Sequence, residues 1–178
     1  GKGYLAVAPD VFWRQKPGVE LDSDIPEQFN EGVGYMMKHD FDLGIRDVEA
    51  VIHWIRRDAG VAKVGLVGFC MGGKIAYMAA ARTDLDASVG YYGVGLDNLL
   101  SETIAAPLLL HIAGRDSFSS KEAETRIIAA LKDNPLVTLA IYPERDHAFA
   151  RPGGEHYHAG NAALAEQRTL NHLGAALA

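Results

Sequence analysis

The 178-residue sequence holds a single cysteine, Cys70, so it forms no internal disulfide and suits a reducing compartment. It has no apolar run long enough to span a bilayer and no secretory or transit signature. Positive charge is in deficit: 17 Lys and Arg against 23 Asp and Glu give a net charge of −6. That balance argues against a broad nucleic-acid or anionic-membrane surface and leaves room for a local basic pocket. Repeats, linkers and low-complexity tracts are missing too, as is an initiator methionine. The chain enters an apolar stretch directly after Gly1-Lys2-Gly3, so its start reads as processed or incomplete. What is there, 48% hydrophobic and 22% charged residues, suits one globular domain with a sizeable core over residues 1–178.

The most informative stretch is KVGLVGFCMGGKIAYMAAA, Lys63 to Ala81. Val64, Leu66 and Val67 form a short apolar run of the kind found in strands buried on both faces, and Ile75, Met78 and Ala79 recur at helical spacing. Between them, Gly68-Phe69-Cys70-Met71-Gly72-Gly73 follows the nucleophile-elbow pattern G-x-S-x-G with cysteine in the serine position. Such a turn brings the backbone on either side of the nucleophile into near collision. The positions two before and two after it therefore tolerate almost no side chain, and Gly68 and Gly72 meet that need. At a helix start the Cys70 sulfur faces unpaired N–H groups and the positive end of the helix dipole, which favours thiolate over thiol. Met71 N–H is the expected donor to an oxyanion formed on a carbonyl attacked by that sulfur. Taken alone, the same residues also fit a small buried cysteine in an ordinary strand-to-helix turn.

Strands and helices alternate along the rest of the chain. Gly3 to Ala8 reads as a strand stopped by Pro9, and residues 15–40 as a loop with one or two short helices at a site mouth. Phe41 to Asp58 reads as an amphipathic helix with Ile45, Val48, Ile52 and Ile55 on one face. Further strands are expected at 87–93, 107–114 and 137–143. Ser120 is positioned to cap a helix reaching about Lys132, with Ile127, Ile128 and Leu131 inward, and a closing helix runs from about Ala159 to Leu177. The alternation predicts a largely parallel sheet with helices on both faces.

In such sheets chemistry gathers in the loops beyond the carboxyl ends of the strands. Cys70, Asp116 and His147 stand at three such positions, in the order nucleophile, acid, histidine of the α/β-hydrolase triad. His147 would accept the Cys70 proton and return one to the leaving group or activate water, while Asp116 would fix the imidazole tautomer. Asp146 adjoins His147, but neighbours in an extended loop point apart, so Asp116 is the better orienter. His111, inside an apolar strand, reads as a satisfied core residue, and His53 and His172 as surface or packing groups on helices. The Glu155, His156, His158 group lacks a third firm metal ligand, so no metal is expected there.

Four segments carry a resemblance to the dienelactone hydrolase (carboxymethylenebutenolidase) family over nearly the full length of the chain. They are APDVFWRQKPG from Ala8, GLVGFCMGG from Gly65, VGYYGVG from Val89 and HAFAR from His147. A cysteine elbow together with Gly-Tyr-Tyr-Gly separates that family from ordinary serine esterases. The resemblance implies an α/β-hydrolase fold, a cytoplasmic location and no cofactor. It implies opening of the lactone ring of dienelactone (4-carboxymethylenebut-2-en-4-olide) to maleylacetate, in the breakdown of chlorinated aromatics. It further implies that Arg14 and Arg151 hold the substrate carboxylate, a role suited to planar guanidinium groups that form paired hydrogen bonds.

The same resemblance implies earlier strands, a glutamate against the nucleophile and a second oxyanion N–H, none with a counterpart in this sequence. The chain then reads as the carboxyl-terminal portion of a longer family domain, with an upstream segment or a separate chain supplying those strands. Two further readings compete: a related cysteine esterase or thioesterase acting on another small ester, and a non-catalytic binding module or inert fragment. A redox-sensing Cys70 ranks lower because it needs no triad.

Overall fold

The computed structural model describes residues 2–178. Four strands, β1 (Gly65–Phe69), β2 (Ala87–Tyr91), β3 (Leu108–Ala113) and β4 (Val137–Tyr142), form one sheet in the order β1-β2-β3-β4. All three pairings are parallel, with Gly65 opposite Ala87, Ser88 opposite Leu108 and Leu108 opposite Val137. Parallel neighbours need a crossover, and helices supply it. α3 (Met71–Arg82) joins β1 to β2, and α4 (Lys121–Leu131) joins β3 to β4. α2 (Phe41–Asp58) packs on α3, and α5 (Ala159–Leu177) lies against β2 and β3.

Alternation along the central strands assigns each side chain to a layer. Ala87, Val89, Tyr91 and Leu109 pack with Ala165 and Leu173 of α5, whereas Leu108 and Leu110 pack with Tyr77 of α3 and with Ile127 and Leu131 of α4. Burial on both faces is why these strands read as continuous apolar runs. α2 buries Ile45, Val48 and Ile52 against Ile75, Met78 and Ala79. Its amino end is capped by Asp40, whose carboxylate accepts from Leu43 N–H at 3.0 Å, and α4 is capped by Ser120, which accepts from Ala123 N–H at 3.2 Å. Each cap contributes about 1 kcal/mol. No helix among the described residues is long and apolar enough to cross a membrane.

Three local expectations change. Residues 3–8 are not a strand: the segment makes no backbone hydrogen bond to β1, and Leu5 is 63% exposed. An apolar run without a ladder partner stays extended chain. β1 consequently has a free edge among the described residues, with Val67 40% and Phe69 52% exposed, where its composition predicts burial on both faces. The elbow glycines also divide differently. A Cβ on Gly68 would sit 1.9 Å from the Gly72 carbonyl oxygen, but a Cβ on Gly72 would meet nothing within 4 Å. The second obligatory glycine is Gly73, where a Cβ would lie 2.7 Å from the Tyr91 carbonyl oxygen and 2.8 Å from Gly93 Cα. Residues 15–40 hold one helix, α1 (Pro26–Met37), begun by proline and burying none of its side chains.

α5 is fastened to the sheet by a buried polar chain. His111 Nδ1 meets the Tyr142 hydroxyl at 2.9 Å, His111 Nε2 meets Thr169 Oγ1 at 3.0 Å, and the Tyr91 hydroxyl meets the same Oγ1 at 2.6 Å. Burial depresses the His111 pKa to about 3, so the ring is neutral, with one nitrogen donating and the other accepting. Thr169→Val preserves the side-chain shape and orphans partners on both His111 and Tyr91. The predicted cost is about 1–3 kcal/mol of stability, measurable by urea denaturation; an unchanged midpoint would mean the chain of bonds does not stabilise the fold.

Candidate active site

The loops after all four strands open on one end of the sheet, and the elbow is the most constrained of them. Cys70 has φ 56° and ψ −115°, a conformation that costs a non-glycine residue about 1–3 kcal/mol. It is held there by its N–H, which donates to the Tyr91 carbonyl at 3.0 Å. Its own carbonyl accepts from Gly73 N–H at 2.9 Å and Lys74 N–H at 3.3 Å. The sulfur therefore projects from the start of α3, whose first residue, Met71, carries one of the helix's unpaired amino-terminal N–H groups.

Asp116 and His147 reach the same place from β3 and β4. Their loops touch because Gly114 has no side chain: a Cβ there would lie 2.7 Å from Pro143 Cα. Arg115 N–H donates to the Arg145 carbonyl at 2.9 Å, tying the two loops together. His147 Nδ1 is then 3.0 Å from each oxygen of Asp116, with both side chains buried. Asp146 does not face the ring. Its Oδ1 accepts from Ser117 N–H at 2.8 Å and from His147 N–H at 2.6 Å, so it braces the two loops. Partial burial alone would raise its pKa, but those N–H donors hold it below the usual carboxylate range.

Electrostatics at His147 favour the imidazolium. Burial pulls its pKa down, yet the bond to Asp116 and then the nearby Cys70 sulfur outweigh it and raise the value to about 9. Cys70 acts more loosely than Asp116, since no hydrogen bond of good geometry joins its sulfur to the ring. The imidazole is also clamped between aromatic rings, with centroids at 4.6 Å for Phe118 and 5.0 Å for Tyr92. Tyr92 has φ 37° and follows β2, and burial lifts its phenol pKa well above the ordinary value, keeping it neutral.

These groups border a cavity of about 750 Å³ whose walls include Phe69, Cys70, Tyr92, Phe118, His147 and Arg151. That size and a largely apolar lining are those of a small-molecule site. Arg151 is the cation in it: its Nη2 is 2.7 Å from Asp24 Oδ1 and its Nη1 bonds Ser23 Oγ. Arg14 is not brought there. Its Nε and Nη2 hold the two oxygens of Asp47 on α2 at 2.9 and 2.6 Å, and it lies over the Trp13 ring at 4.4 Å. A carboxylate already grips its fork, so Arg14 is committed to fixing the 10–18 loop on α2.

Other histidines take structural places. His158 caps α5 by accepting from Asn161 N–H at 3.1 Å, and His53 is exposed near Asp84. Sequence reasoning had no residue-level signal for Asp24, Phe29 or Phe118, all on the cavity wall. Tyr92 could have been found, because it directly follows a strand in a sheet whose strand ends carry the chemistry.

The model of the dienelactone hydrolase family matches residues 1–177. A candidate carboxymethylenebutenolidase of Azospirillum brasilense is 43% identical over 180 aligned residues, covering 97% of this chain and 78% of that protein. The carboxymethylenebutenolidase of Pseudomonas putida is 38% identical over 175, covering 97% and 74%. The crystal structure of a candidate dienelactone hydrolase of Klebsiella pneumoniae superposes with a TM-score of 0.81 at 29% identity, covering 97% of this chain and 76% of that one. With a parallel sheet and a strand-elbow-helix unit in place, these matches show an α/β-hydrolase, and the chain belongs to the dienelactone hydrolase family.

Proposed function

We propose that the chain hydrolyses a small lactone or ester bearing a carboxylate, through Cys70, His147 and Asp116. Dienelactone, opened to maleylacetate, is the substrate that the relatives' names suggest. The observation that carries this reading is the Asp116–His147 pair at 3.0 Å on the cavity that Cys70 and Arg151 also line.

The chemistry follows from those positions. The Cys70 thiolate, formed as its proton passes to His147 Nε2, adds to the lactone carbonyl, and the carbonyl π pair moves onto oxygen beside Met71 N–H. When that pair returns, the ring C–O bond breaks and the departing oxygen takes the proton from the imidazolium, leaving an acyl thioester on Cys70. His147 then removes a proton from water, whose hydroxide attacks the thioester. Collapse of that second adduct restores the thiolate and releases the carboxylic acid, which gives its proton to solvent. Asp116 holds Nδ1–H throughout, so Nε2 faces the reacting atoms. Arg151 anchors the substrate carboxylate; Arg14, engaged on Asp47, contributes through the loop it braces. In this reading the protein works in the cytoplasm, where reducing conditions keep Cys70 free.

An esterase acting on neutral substrates is the second reading. It is favoured by one observation: Arg151 is already paired with Asp24.

Four outcomes are predicted. Cys70→Ala lowers lactone turnover by at least about 10³-fold; retained turnover would rule out the thiolate. Arg151→Met raises KM for dienelactone about 10- to 100-fold, as expected for loss of a charge-assisted bond, while kcat/KM for p-nitrophenyl acetate changes little; equal losses on both would favour the second reading. The third concerns pH. Because the folded His147 value of about 9 lies above the ordinary 6.5, its contribution to stability is full below about pH 6.5 and is lost as pH rises through about 9. Turnover should fall over the same upper range. Asp116→Asn should move the ring titration, followed by NMR, down toward the ordinary histidine value; an unmoved titration would remove Asp116 from its role.

A further inference from the structure

We infer that Asp24 determines specificity: its carboxylate occupies the seat on Arg151 that a substrate carboxylate must take, and so sets the preference between anionic and neutral esters. This rests on the proposed function for the identity of the reaction, but the occupied seat is independent of it.

The contact resembles a ligand more than a structural ion pair. Asp24 Oδ1 lies 2.7 Å from Arg151 Nη2, both residues line the cavity, and the Asp24 carboxylate has no other side-chain partner. Its side chain remains 60% exposed, so the pair is screened and easily exchanged. The turn that presents it is self-supporting. Asp22 Oδ1 accepts from Asp24 N–H at 2.9 Å, Asp22 N–H donates to Gln28 Oε1 at 2.7 Å, and Ile25 N–H donates to the Asp22 carbonyl at 3.2 Å. The turn itself is exposed, and α1 behind it has no fully buried side chain, its hold on the core being Met36 near its far end. What ties the turn to Arg151 is two exposed hydrogen bonds, to Ser23 Oγ and Asp24 Oδ1, which water or a substrate carboxylate can replace.

The guanidinium is under-used: its side-chain hydrogen bonds among the described residues are those to Ser23 and Asp24. It lies over Gly154, where a Cβ would come within 2.7 Å of Nε and 2.9 Å of Nη2. Nε is buried and has no hydrogen-bond partner. The Nε–Nη2 edge of a guanidinium is the one that takes both oxygens of a carboxylate, and Asp24 uses only Nη2 of it. A substrate carboxylate that takes the place of Asp24 meets Nη2 directly, and meets Nε as well once the turn that leaves with Asp24 uncovers it, so the two carboxylates compete for one guanidinium. A neutral ester has nothing to offer that edge and reacts with Asp24 in place.

The test is made with Asp24→Asn, which keeps shape and removes charge. In a Cys70→Ala background, where dienelactone would not be consumed, titration calorimetry should show it binding about fivefold more tightly once Asp24 is Asn, the scale of a screened ion pair. The same gain is expected for 3-butenoate, an unreactive monocarboxylate, in protein that retains Cys70, and it should vanish when Arg151 is Met. In turnover, the ratio of kcat/KM for dienelactone over p-nitrophenyl acetate should rise about fivefold. Unchanged or weaker binding of both carboxylates in Asp24→Asn would overturn the inference. Tighter 3-butenoate binding by a protein that hydrolyses no lactone would overturn only the catalytic reading.

Discussion

The fit of backbone against backbone at the elbow governs the rest of the site. Gly68 faces the Gly72 carbonyl at a distance no side chain allows, and Gly73 presses on the Tyr91 carbonyl and Gly93. Those contacts fuse the end of β1, the start of α3 and the end of β2 into one unit, and Cys70 N–H closes it by donating to Tyr91. Cys70 then has a single place to go, at the amino end of α3 in a strained conformation that its neighbours sustain. Since β2 and β3 are in register, the same unit fixes where β3, and through Gly114 the β4 loop, deliver Asp116 and His147.

A chain with net charge −6 still places a guanidinium on the cavity that Cys70 lines, on a wall shared with the carboxylates of Asp24 and Glu155. Asp116 and the Cys70 sulfur favour the protonated form of His147 despite burial, and Arg151 lines the same cavity. Phe69, Tyr92 and Phe118 line the cavity with them, as does Glu155, whose carboxylate opposes their field. Asp24 tempers that field from the outside. It sits on the exposed turn before α1 and gives the guanidinium a counter-charge.

The parallel sheet and the meeting of Asp116 with His147 were legible because they depend on local patterns: apolar runs, glycine-marked turns and polar residues just past strand ends. The Gly72 assignment failed because spacing counts residues, whereas the clash depends on which way each Cα–H points, and that direction belongs to Gly73. Tyr4 to Ala8 failed as a strand because a sequence shows what a segment can pair with, not whether the partner edge is reached. Arg14 shows a third limit. Its family segment is intact, but Asp47 lies 33 residues away on α2, and no local pattern reveals that the guanidinium is already engaged. The Arg151–Asp24 contact, 127 residues apart, was invisible for the same reason.

Catalysis by Cys70 requires a transient covalent bond to its sulfur. Rapid-quench mass spectrometry of the protein mixed with dienelactone tests it most directly. The prediction is a transient acyl adduct on the peptide that carries Cys70, appearing before product and disappearing as the ring-opened acid accumulates. Steady hydrolysis without any adduct on that peptide, or an adduct confined to another residue, would contradict it.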